Sequence, residues 1–403
     1  MIVLIVIIIC FLILFEFLVS FIIFFEKKNI PWLITNIDKY PVLDTDALEK
    51  FTKISFHPKL GWWRPPLSNG EEKGVNEKVF FSIDSDGSRK KIFGNAPIKI
   101  ATFGDSFAFC RQVSDHQTWQ SNLAKKFNIN VQNFGVGNYG LDQALLRYSL
   151  CELSNDTKII IVMFVPETIC RVQSQWKHYL EFGNTFAFKP IFNIENNEDL
   201  IEISNPMKGL KDFKNYRLHL KNIQKHDRFY KEKFKPSIIK FPFFLNGFKY
   251  MNFKIMLIKF AFIRFGAKAF RNSTNKIDEQ IMKYVMRCNL KQSYALYNEN
   301  KSTQLLKIIF REFKKKVIAN NKKVFFIVAP QLLDLELRKV MNELPYEKFY
   351  RNLKTEYDII DLTEDLFNLP LEKLYVNDIY GGHFSVYGND AVAKLLEKKI
   401  KLK

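Results

Sequence analysis

The sequence predicts an α/β fold, a three-layer αβα sandwich around a mostly parallel five-stranded sheet of the doubly wound kind. Two observations predict it. Short apolar, β-branched runs at 98–104, 129–134, 158–165, 324–329 and 359–362 alternate with segments whose apolar residues recur at helical spacing. The run at 158–165 is continuously apolar after Lys158, as a central parallel strand covered on both faces must be. Strands separated by helices are joined by crossovers, which makes the sheet parallel. A chain of 403 residues with 47% hydrophobic content supplies a core of that size.

The N-terminal element stands outside this pattern. Residues 2–25 are apolar except for Glu16 and Ser20, and a helix of that length spans roughly 36 Å, enough for a bilayer. It reads as an uncleaved anchor, because no basic leader, short apolar core or small-residue cleavage site precedes Glu26. Lys27 and Lys28 alone favour a cytoplasmic body, although long domains translocate largely regardless of charge. Glu16 reads as a carboxylate tolerated near one end of a single span. Residues 27–96 form a lead-in rich in Pro, Gly and aromatics, predicting turns and short strands without a long helix. Its Trp62-Trp63 pair could stack on a sugar ring, but aromatics beside prolines more often pack such a segment onto its domain.

The sandwich is expected in two parts, 97–170 and 322–403. The first strand ends in Gly104, Asp105 and Ser106, followed by a helical pattern at 115–126. The second ends in a glycine loop, 133–140, before a helix at 141–153. The third closes at Pro166-Glu167-Thr168. Residues 171–321 break the rhythm and read as an insertion or lid, with helices near 253–270 and 302–318; His178, His219 and His226 lie there without ligand spacing. The alternation resumes with a strand, helices at 332–342 and 346–355, a strand, and a C-terminal helix that Ser385 caps.

Composition excludes some functions. The formal charge is +19, but its lysines are spread along the chain and form no nucleic-acid patch, so no nucleic-acid partner is expected. The five cysteines include no CxxC pair, so neither a zinc site nor a disulfide framework is signalled, and no metal or cofactor is expected.

Chemistry is signalled at the ends of the strands. In an open α/β sheet, ligands bind outside the carboxyl ends, where helix N-termini offer free N–H groups to an anion. Ser106 sits at such an end, and the 133–140 loop can face the same crevice. His383, in a glycine-rich loop before the last helix, is placed to take the serine proton, since serine is a weak nucleophile without a base in reach.

The GDSF turn at 104–107, the NFGVGNYGLDQ loop at 133–143 and the DIYGGHFSVYGN segment at 378–389 resemble the first, second and fifth blocks of the SGNH, or GDSL, hydrolases. The resemblance runs from about residue 58 to the C-terminus and is weakest over 171–321. With the anchor, the LGW segment at 60–62 and the FKP segment at 188–190, it is similar to members associated with bacterial surface polysaccharides.

The resemblance implies that Ser106 attacks an ester carbonyl while His383 acts as general base and then acid, oriented by a carboxylate. That acid normally lies three positions before the histidine, where this chain has Tyr380; Asp378, five before, is the nearest carboxylate, and without it His383 is half of a dyad oriented by a carbonyl. The resemblance also implies an oxyanion hole from the N–H groups of Ser106 and of Gly137 or Gly140, plus an asparagine that this chain lacks, for which Thr168 is the substitute. Asp105 reads as a structural turn residue. Two functions are expected from this. One is an esterase or O-acyltransferase acting on small acyl, most plausibly acetyl, esters of a carbohydrate; the other is a catalytically silent, membrane-tethered glycan-binding or assembly protein. The partners expected are an acylated carbohydrate and, through the first helix, a membrane. The resemblance favours a periplasmic body, with the cytoplasm and the oligomeric state left open.

Overall fold

The computed structural model describes residues 1–75, 77–196, 198–243, 246, 251–376 and 382–400. Its centre is a five-stranded sheet of β1 (Ile98–Gly104), β2 (Asn130–Asn133), β3 (Ile159–Phe164), β4 (Lys323–Val328) and β5 (Ile359–Asp361). The spatial order is β5-β4-β3-β1-β2. Every pairing is parallel, with Thr102 opposite Asn133 on one side of β1 and opposite Ile161 on the other. The chain therefore leaves β1 in opposite directions toward β2 and β3, and the crevice at that switch point is where such sheets bind ligands.

Alternation along the strands divides the core. Phe103, Val162 and Phe326 face one way, into α5 (Leu141–Leu150) and α8 (Asn300–Ala319). Ile100, Ile161, Met163 and Ile327 face the other, toward α4 (Trp119–Phe127) and α11 (Val386–Lys399). Asn389 of α11 accepts a hydrogen bond from Trp119 N at 3.1 Å, joining elements 270 residues apart.

Three features differ from the sequence reading. The lead-in contains a ten-residue helix, α2 (Thr45–Ile54), started by Asp44, whose side chain accepts from Ala47 N, and seated by buried Leu48. Residues 300–319, read as part of an insertion, instead complete a helical layer of the sandwich, with Leu306, Ile309, Phe310 and Phe313 fully buried. Between them and α6 (Met251–Ala269) lies α7 (Asn275–Tyr297), a helix the spacing did not reveal.

The first helix, α1 (Ile2–Glu26), is long and apolar enough to cross a membrane. Residues 1–14 are exposed, whereas Val19, Ile22 and Ile23 are buried against Leu257 and Ala261 of α6. At its end Glu26 is paired with Arg264 at 2.6 Å.

Candidate active site

Gly104 ends β1 at φ +136°, and a Cβ there would lie 1.8 Å from Met163 O. Only glycine lets β1 turn this closely against β3. Asp105 caps the turn that follows. Its Oδ1 accepts from Phe107 N at 2.8 Å, and its Oδ2 accepts from Val165 N at 2.9 Å and from Arg171 at 3.2 Å. Burial pushes the pKa of this carboxyl up, against the opposing pull of Arg171. Asp105 thus ties the ends of β1 and β3 together, and Ser106 begins the short helix α3 (Ser106–Phe109).

Contacts on either side of the histidine hold it at this turn. Val376 N donates to His383 O at 2.8 Å, and Ser385 Oγ accepts from Gly388 N to start α11. His383 Nε2 lies 2.8 Å from Ser106 Oγ. Its backbone N–H donates to Gln112 Oε1 at 2.9 Å, and its Nδ1 lies 3.2 Å from the same oxygen. Because a backbone N–H can only donate, the Gln112 atom facing the ring is its carbonyl oxygen, so Nδ1 carries the proton and Nε2 turns its lone pair to the serine. Withdrawal from solvent, with Arg111 and Arg171 nearby, pushes the His383 pKa down to about 3. The ring is therefore neutral at ordinary pH.

Gln112 was missed in the sequence. It sits at φ +73°, two residues after Cys110 at φ +60°, and these two left-handed residues curl the chain so that the amide reaches the imidazole. Asp378 lies outside the described residues. Among the described residues, the group on Nδ1 is this amide carbonyl.

The oxyanion candidates separate. The N–H of Ser106, first in its helix, has no acceptor among the described residues, nor has that of Gly137, where a Cβ would meet open space. One other is corrected. Gly140 N donates to Gln143 Oε1 at 3.3 Å, closing the N-terminus of α5. Buried Thr168 accepts from Leu141 N at 2.9 Å, which fixes its hydroxyl oxygen at the start of α5. Glu167 is neutralised by Arg171 at 2.8 Å.

The Gly137 loop is held by segments distant in sequence. Trp62 Nε1 donates to Gly137 O at 2.9 Å, and Tyr139 hydroxyl donates to Trp62 O. Gln143 Nε2 donates to Leu60 O at 2.7 Å. Gly61, at φ +86°, packs so closely on the 188–190 segment that a Cβ would lie 2.4 Å from Phe188 O. Next to it Lys189 is buried in an ion pair with Asp142 of α5. Trp62 therefore packs on the loop, and with Trp63, Arg64 and Arg111 it lines a cleft of about 550 Å³ beside Gly137 and Asn138.

Fold and site together define a doubly wound α/β protein with a serine–histidine pair at the switch point of its sheet. No family model matches the chain, and no curated protein matches it. Solved structures do resemble it. A protein assigned to the lipolytic G-D-S-L family, from Desulfitobacterium hafniense DCB-2, is 10% identical with a TM-score of 0.32, over 75% of this chain and 99% of that one. A catalytic mutant of the acetylxylan esterase Axe2 of Geobacillus stearothermophilus is 10% identical with a TM-score of 0.32, over 78% of this chain and 98% of that one. A second Axe2 mutant is 11% identical with a TM-score of 0.33. At such scores the weight falls on the atoms of the site.

Proposed function

We propose that the chain is an SGNH-type serine esterase or O-acyltransferase that works through an acyl-Ser106 intermediate on small acyl esters of a carbohydrate. The observation that carries this reading is the 2.8 Å contact between Ser106 Oγ and His383 Nε2 at the carboxyl end of β1. His383 Nε2 takes the hydroxyl proton as Ser106 Oγ bonds to the acyl carbon, and the carbonyl electron pair moves onto oxygen. The N–H groups of Ser106 and Gly137 are the donors proposed to receive that oxyanion. Collapse of the intermediate breaks the bond to the sugar oxygen, which leaves with the proton held by His383. Water, or a second sugar hydroxyl, then gives its proton to His383 and its oxygen to the acyl carbon, releasing Ser106. Hydrolysis and transfer differ only in that acceptor.

The carbohydrate assignment is supported by a wide cleft that presents Trp63, Arg64 and Asn184 beside the Gly137 loop. Placement of the body in the periplasm belongs to the same reading, and a reporter fused after Lys403 tests it.

The test uses the full chain in detergent with a fluorophosphonate probe and p-nitrophenyl acetate, comparing wild type, Ser106→Ala and His383→Ala. The expected result is labelling lost in the serine variant and turnover lowered by about 10³-fold or more in both, with folding intact. A folded wild type that neither labels nor turns over overturns the enzyme reading in favour of a silent glycan-binding protein.

A further inference from the structure

The anchor and the body overlap along the first helix. The freely exposed stretch Ile2 to Leu14 of α1 is about 20 Å long at about 1.5 Å per residue. The hydrocarbon of a bilayer is about 30 Å thick. The apolar helix long enough to cross runs on through residues 15–21, where α1 is no longer free.

There it is gripped by α6 and its approach. Phe15 stacks on Phe262 with ring centroids 6.5 Å apart, and Phe21 meets the edge of Phe265 at 5.8 Å. Glu16 accepts a hydrogen bond from Phe243 N, which satisfies a carboxylate that sits within the span. The polar boundary comes at Glu26, five residues past Phe21. Glu26 binds both Arg264, at 2.6 Å, and Lys268, at 3.2 Å, and Arg264 also holds Asp278 at 2.6 Å. The outward face of α6 carries exposed Ile255 and Ile263, and α1 leaves Phe17 exposed. Lys259 shares that face, and its four-carbon stem lets the amine reach the headgroups.

We infer that α6 is a second membrane element, a helix lying in one lipid leaflet alongside α1, with the Glu26, Arg264, Lys268 and Asp278 cluster marking the headgroup level. The occupant of its apolar face is lipid, because that face continues the surface of the spanning helix and packs beside the second half of its apolar run. The inference rests on α1 spanning a bilayer and is independent of the esterase reading. It also accounts for a body that grips its own anchor rather than hanging from it by a linker.

The test is lipid photolabelling of the wild-type full chain in phospholipid vesicles, with a phospholipid carrying a diazirine on its acyl chain and peptide mass spectrometry as readout. The expected result is label on α1 and on peptides from α6, including Ile255 or Ile263, enriched severalfold over the peptide bearing exposed Leu218. Label on α1 with α6 at the level of the Leu218 peptide overturns the inference and leaves the anchor standing. Label on neither overturns both.

Discussion

Gln112 Oε1 stands 3.2 Å from His383 Nδ1 and accepts the backbone N–H of the same histidine at 2.9 Å, so one amide oxygen sets both the position of the ring and its tautomer. Removing it in Gln112→Ala leaves the serine and histidine present but the imidazole free to rotate. Small misplacements of a catalytic group cost about a hundredfold, and a fall of that order in kcat with little change in KM is expected from steady-state assays of the folded variant.

The pH profile follows from the same contact. Only neutral His383 can accept the Ser106 proton, and its pKa is pushed down to about 3. Activity is therefore expected to hold as pH falls past the ordinary histidine value of 6.5 and to decline only near the lowered one. Gln112→Glu places an anion on Nδ1–H, which stabilises the imidazolium and raises that pKa. The acid limb of kcat/KM must then move to higher pH; an unmoved limb removes Gln112 from the role of orienting group.

Gly137 separates side-chain space from backbone donation. A Cβ there meets nothing within 4 Å, so Gly137→Ala is expected to be silent. Gly137→Pro removes the N–H, and loss of an oxyanion donor typically lowers kcat by about a hundredfold to a thousandfold. Burst amplitudes with p-nitrophenyl acetate would distinguish slowed acylation from misfolding.

The supports of that loop are expected to show in stability. Lys189→Met strands Asp142 as a buried unpaired charge, which costs about 3–5 kcal/mol; urea unfolding should give a much smaller loss when Asp142→Leu is added. Gly61→Ala forces a Cβ toward Phe188 O at a left-handed φ of +86°, a position where strain costs about 1–3 kcal/mol, readable as a lowered Tm.

Much of this was legible in the sequence because the physics is local. Buried parallel strands must be apolar throughout, so β3 and β4 stand out as IIIVMF and KVFFIV. Gly104 and Gly382, both at positive φ with no room for a Cβ, mark turns that only glycine permits, and Ser106 and His383 lie beside them. Other parts depend on contacts no window contains. Gln112 carries no motif, and its role arises from two left-handed residues and a partner 271 positions away. Gly140 fits the oxyanion pattern, yet its N–H is spent on Gln143 at the start of α5. The α8 helix did carry a signal, since the helix just before a strand is normally its crossover; the length of the segment preceding it hid that relation. Asp44 before an amphipathic run likewise marked α2, but the prolines around it suggested turns.

The bond between Ser106 and His383 closes a span of 277 residues, and Asn389 reaches back to Trp119 across 270. In synthesis α1 and Ser106 are both made long before His383. The capped turn of Ser106 can thus fold while its imidazole partner is still untranslated. A chain stalled between them carries the serine without the ring nitrogen that contacts it. The contact is in this way assembled only after translation has passed His383.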